Sequence, residues 1–257
     1  MTAAASAVTQ ISPITRATDA PQVALSAYEQ LLDLLNTLDI DQWHASTDCP
    51  GWSVADMVGH LIGSAKANAS LRENMRQQAW GARHRKDHSG NAMDAANALQ
   101  VSDHRSLDPA ERVTMLASLA PRAVAGRMRF PRPLRQASIP IAQSGSSAGM
   151  PPRLQLGHLV DVVYTRDVWM HTLDVARATS REVDLSAPVN ARIVADVVRE
   201  WALLHRHPVD LTLTGPCGGR FVSGTGGERL ELDAVTFCRT ISGRGSGQGL
   251  LRHLVVF

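Results

Sequence analysis

A chain of 257 residues that is 44% apolar, 19% charged and 4% aromatic has an ordinary globular composition, with room for one large domain or two modest ones. Its net charge of +2 gives no global field to draw nucleic acid or a membrane surface, and its few aromatics argue against a base-stacking platform. No run approaches the ~20 apolar residues of a membrane span. Cys49, Cys217 and Cys238 form no CxxC pair, which fits a reducing cytoplasm better than a disulfide framework.

Residues 1–20 lack a basic stretch followed by an apolar one and read as a flexible N-terminal tail, not a signal peptide. From Pro21, a stripe of Val23, Leu25, Tyr28, Leu31, Leu32, Leu35 and Leu38 predicts a helix of period 3.6. "STDCPGW" breaks it at Pro50 and Gly51. Ser53, with Asp56 three positions on, resembles a capping box that opens a second helix running to Trp80.

Residues 81–106 form a polar insert with a short helix over 92–101, and Pro109 begins the next helix at its first position. Pro131, Pro133, Pro140, Pro151 and Pro152, with "SGSSAG" among them, mark a long irregular connection. Helices are expected over 156–179 and, capped by Ser186, over 188–205. After His207 the pattern shifts to period 2: "VDLTLTG" and "GRFVSG" read as strands, Asp233 caps a short helix, and "LRHLVVF" reads as a last strand. The expected organisation is a tail over 1–20, a helical domain over 21–207 and a small α+β domain over 208–257. The small domain would cover the bundle's mouth or form a subunit contact, leaving a homodimer open.

"YTRDVWMHTLD" is unusual in placing Asp167 and His171 four apart on an otherwise core-facing helix. That spacing lets both side chains meet one ion, with a third ligand supplied from elsewhere. His60, on an apolar helix, is the best candidate. The competing reading is a hydrogen-bonded core histidine. Asp56 and His60 repeat the spacing, but Asp56 is wanted at the helix start. His84 and His88 lie among cations and read as a solvated face. Cys49, in the turn before the His60 helix, has no evident neighbouring base, and Cys238 falls on a core stripe.

Taken in order, "DCPGWSVADMVGHL", "YTRDVWMHTLDVARAT" and "FCRTISGRGSG" resemble the mycothiol-dependent maleylpyruvate isomerase family. The resemblance implies an α+β chain with an N-terminal DinB-like four-helix bundle, from a superfamily of metal-dependent thiol enzymes. It implies a divalent metal, zinc above Ni, Fe, Co or Mn, held by His60, Asp167 and His171. Asp167 stands where the isomerase pattern has Glu. Two imidazoles and a carboxylate leave a corner open, as in a catalytic site. Asp174 then reads either as an orienting partner for an imidazole or as a surface charge.

The resemblance also implies that a thiolate of mycothiol, held at the metal, adds to an electrophilic small molecule and is expelled after bond rotation, which is a cis–trans isomerisation. The family's functional arginine maps to Arg244, with Arg239 close by. The alternatives are a mycothiol S-transferase that detoxifies electrophiles and a non-catalytic binding or regulatory bundle.

Overall fold

A computed structural model describes residues 5–141 and 150–257; the expected "SGSSAG" connection and residues 1–4 lie outside the described residues. In chain order the elements are β1 (Ser6–Ala7), α1 (Ala20–Leu35), α2 (Val54–Ala69), α3 (Leu71–His84), α4 (Ala92–Asp103) and α5 (Pro109–Met128). A short α6 (Arg132–Arg135) leads to β2 (Ser138–Pro140), β3 (Arg153–Gln155) and α7 (Leu156–His158). A π-turn, Leu159–Val163, joins α7 to α8 (Tyr164–Thr179). Then come α9 (Pro188–His205), β4 (Val209–Thr214), β5 (Gly219–Ser223), β6 (Glu228–Asp233) and α10 (Ala234–Arg239).

The chain forms two compact units. One joins Ala24–Ala137 to Leu156–Val183; the other joins the N-terminal segment through Val23, Ser138–Gln155 and Asp184–Phe257. The first is a helical bundle whose core is shared by four helices. Tyr28, Leu31 and Leu35 of α1 pack with Met57, Leu61 and Ile62 of α2, Leu116 and Ala123 of α5, and Val168 and Val175 of α8. These positions recur at three- and four-residue intervals, which gives each helix one apolar face. No helix among the described residues is long and apolar enough to cross a membrane.

The start of α2 is fixed by the expected capping box. Ser53 Oγ accepts from the Asp56 amide at 3.2 Å, and the Ser53 amide donates to Asp56 Oδ2 at 3.0 Å. Its end differs from the expected long helix, because extended Ser70 (φ −139°) separates α2 from α3 and accepts from the Glu73 amide at 3.4 Å. "SLRE" was itself a helix-start signature inside the apolar run. The expected helix over 92–101 runs on to Asp103, with Asn91 capping it.

Gly63 is where α4 lies closest to α2: a Cβ there would sit 2.5 Å from both Cβ and Cγ of Gln100.

The second unit carries a four-stranded sheet in the order β1-β5-β4-β6, with β4 antiparallel to β5 and parallel to β6. Leu211 at its centre aligns with Phe221 on one side and Leu230 on the other. Helix α9 buries Ile193, Val194, Val197, Val198 and Trp201. Trp201 meets Phe237 of α10 edge-on, with ring centroids 5.2 Å apart.

Several expectations change in this unit. The segment expected to be a flexible tail supplies β1, pairing Ser6 with Phe221 and Ala7 with Val222, and buries Val8 and Ile14. The Ile14 amide donates to Asp196 Oδ1 at 2.9 Å. The compact units therefore divide the chain differently from a boundary at residue 207, because α9 and the N-terminal segment gather around the C-terminal sheet. "ERLELD" forms β6 despite its charges, because the outward positions of an edge strand are solvated. "LRHLVVF" forms no strand: it begins in a short 3-10 turn, Gly249–Arg252. Helix α9 is preceded by Ala187 as its cap, and Ser186 bonds Asp184 instead.

Substituting Gly63→Ala should destabilise the protein by about 1–3 kcal/mol, since the added methyl must push α4 from α2. Urea unfolding checks this; an unchanged midpoint would show that the helices separate freely.

Candidate metal centre

The capped start of α2 sets the helix phase that carries His60 inward, to 7% exposure. Its imidazole then needs partners. Nδ1 lies 2.7 Å from Gln100 Oε1, Gln100 Nε2 donates to Gln77 Oε1 at 2.6 Å, and Gln77 Nε2 donates to the Gly63 carbonyl at 2.9 Å. A backbone carbonyl can only accept, and that fixes the direction of the whole chain. Gln77 must present its nitrogen to Gly63 and its oxygen to Gln100, so Gln100 must present its own oxygen to His60. His60 is therefore protonated on Nδ1, and its Nε2 is the free end.

His171 reaches the same state by a shorter route. Its Nδ1 lies 3.1 Å from Oδ2 of the fully buried Asp174, a carboxylate that accepts the ring proton. Asp174 is thus an orienting partner, not a surface charge.

Both free nitrogens point to one carboxylate. His60 Nε2 is 3.5 Å from Asp167 Oδ2, and His171 Nε2 is 3.3 Å from Asp167 Oδ1. A donor atom from each of His60, Asp167 and His171 lies within 4.8 Å of the other two, all inside the helical unit. The two imidazoles meet edge-on at 84°, and Trp52 lies against the other side of His60 at 5.2 Å between ring centroids.

Burial raises the Asp167 pKa, but the charge and hydrogen bonds of His171 and His60 outweigh it and hold the carboxyl well below the usual range. Burial likewise lowers His171, and Asp167, then Asp174 and Cys49, reverse the shift to well above 6.5. The carboxylate between two imidazoles thus favours a proton on His171.

Cys49 differs from the sequence expectation, since it has a base beside it. Its thiol lies beside His171, since Cys49, His171 and Asp174 bring one donor atom each within 4.8 Å of one another. Asp56 stays in the cap. His84 is half-buried and stacked on Trp80, and no described His/Cys/Asp/Glu cluster includes it or His88. Cys238 is fully buried in the other unit. Arg239 ends α10 and Arg244 ends the turn Thr240–Arg244; both belong to that other unit. Gln77 and Gln100 escaped the sequence reading, because a glutamine in a polar segment carries no sign of burial.

In chelator-treated protein, His171 should titrate above 6.5 by histidine-resolved NMR. A raised pKa in the folded state stabilises fully below about 6.5 and fades as pH climbs through the raised value. The lowered Asp167 acts in the opposite direction, stabilising above 3.8 and failing only in strong acid. Relative to wild type, His171→Gln should therefore lose most stability between about pH 4 and 6.5. An equal loss at pH 9 would contradict the pairing.

The profile of the family described as mycothiol maleylpyruvate isomerase N-terminal domain matches residues 24–176, well over half of the chain. Two solved structures share the fold at 14% identity and a TM-score of 0.53, covering 94% of this chain and 93% of theirs. They are a mycothiol-dependent maleylpyruvate isomerase and a histidine-to-alanine mutant of it. No curated protein matches. The matched span contains α1 through most of α8, and with them His60, Asp167 and His171: this chain belongs to the mycothiol maleylpyruvate isomerase N-terminal domain family and is an enzyme.

Proposed function

We propose that the protein is a metal-dependent, mycothiol-dependent isomerase that converts a cis enoyl acid to its trans isomer. The observation that carries this reading is the convergence of two Nε2 atoms, each opposite a fixed Nδ1–H, on the Asp167 carboxylate. Such a donor set suits a divalent ion, zinc first, and its three protein groups leave room for a small ligand.

His60, Asp167 and His171 would hold the ion. When bound, it supplies a Lewis-acidic corner that keeps a thiol deprotonated near neutral pH, and the thiolate is the nucleophile the isomerisation needs. The chain's own residues do the rest. Gln100 and Asp174 keep the imidazole protons on the outer nitrogens, so both inner lone pairs stay available. Trp52 packs against His60, with ring centroids 5.2 Å apart. Asp167 brings the negative charge that offsets part of the dication. The family resemblance assigns Arg244 the role of binding a carboxylate, through a bidentate fork.

Purified protein should contain close to one equivalent of divalent metal by elemental analysis. His60→Ala and His171→Ala should each lose it, and retention of metal by both would end the proposal. Gln100→Leu should keep the fold and weaken metal binding roughly 10- to 100-fold, since the outer partner of a ligating imidazole typically has that weight.

Incubation with mycothiol and maleylpyruvate should yield fumarylpyruvate without consuming thiol. A stable thiol conjugate formed with electrophiles would instead make the protein an S-transferase.

A further inference from the structure

Arg127 of α5 is fully buried, yet most of its donors are unused. Nη1 donates to Thr165 Oγ1 at 3.3 Å, while Nε and Nη2 have no hydrogen-bond partner among the described residues. Its guanidinium carbon lies 5.9 Å from the centre of the Tyr164 ring, a contact that satisfies no N–H. Arg112, on the same helix and also buried, shows the contrast: it spends its donors on the carbonyls of Leu107, Ala55 and Arg105. Each nitrogen of Arg112 has a carbonyl partner, whereas two of the three nitrogens of Arg127 have no hydrogen-bond partner among the described residues.

The unused atoms form one edge of the guanidinium. Elsewhere the chain uses this same edge to grip carboxylates: Arg220 places Nε and Nη2 on the two oxygens of Asp210 at 2.9 and 2.8 Å, and Arg76 treats Glu73 alike. Thr165, which holds Nη1, stands two residues before Asp167 on α8, and two phenols lie in the field of the guanidinium. Tyr28 of α1 and Tyr164 of α8 each feel the charge of both Arg127 and Asp167. Asp161, the other nearby acid, is engaged by Arg135. The Asp167 side chain is 22% exposed and Tyr164 is half-buried, so the cluster's rim meets solvent while the guanidinium is shielded from it.

We propose that Arg127, with Tyr28 and Tyr164 beside it, is a carboxylate-binding subsite adjoining His60, Asp167 and His171, and that it receives one carboxylate of an anionic electrophile. The identity of that ligand as substrate rests on the isomerase reading above; the anion-binding property does not. A fork in a low-dielectric pocket binds a planar carboxylate far better than a single-point anion.

Maleate binding to chelator-treated full-length protein, measured by calorimetry, tests this without the metal. Wild type should bind maleate, Arg127→Met should bind it roughly tenfold to hundredfold more weakly, and Arg127→Lys should recover part of the loss. Metal content after reloading should be the same in all three. Undiminished binding by Arg127→Met, no binding by wild type, or equal binding of chloride would each overturn the proposal. If Arg127→Met does not fold, the double variant Tyr28→Phe, Tyr164→Phe should keep metal and lose affinity for maleate several-fold; unaltered affinity would overturn it too. Because metal loading and maleate binding are read separately, failure of the metal assignment and failure of this subsite give different results.

Discussion

Two imidazole protons held on their outer nitrogens make the centre of the bundle what it is. One is held by Asp174 and the other by a relay of two glutamines that ends at the Gly63 carbonyl. Were either ring to flip, its Nε2 would turn away from Asp167 and the donor set would shrink to two. Much of the surrounding packing serves this condition. Close contact of α4 with α2 at Gly63 brings Gln100 within reach of His60, and the Ser53–Asp56 cap sets the phase of the helix that carries the ring.

A polar cluster of this kind is unstable when incomplete, because each unmet donor or acceptor in a low-dielectric interior costs more than its hydrogen bond returns. Here the accounting closes around the histidines and stays open at Arg127. Asp174 and Gln100 leave no ring nitrogen without a partner, whereas the arginine keeps a whole donor edge in reserve. The same bundle satisfies Arg112 fully with main-chain carbonyls.

The sequence carried the bundle helices and the three clustered residues further than it carried their support. Asp167 and His171 were visible as a four-residue spacing, and His60 as an imidazole on an apolar helix. Gln77, Gln100 and Arg127 were invisible, since nothing in a polar stretch tells a buried amide or guanidinium from a solvated one. The α2–α3 break was readable in "SLRE" but masked by the apolar run around it. Strand β6 was hidden by charges that suit an edge, and the N-terminal strand by its two-residue length and a partner more than 200 residues away. Local signals specified what is local, and long-range pairing left no trace in composition.

The π-turn at Leu159–Val163 has its own consequence. An additional residue in one turn rotates everything upstream by about 100° against everything downstream. Asp161, gripped by Arg135, and Asp167, turned toward the histidines, are therefore aimed independently of each other, although they share one continuous rod. Shortening that turn by a residue would leave the Asp167–His171–Asp174 spacing untouched while swinging the preceding stretch to a different azimuth, so the two halves answer to separate neighbours.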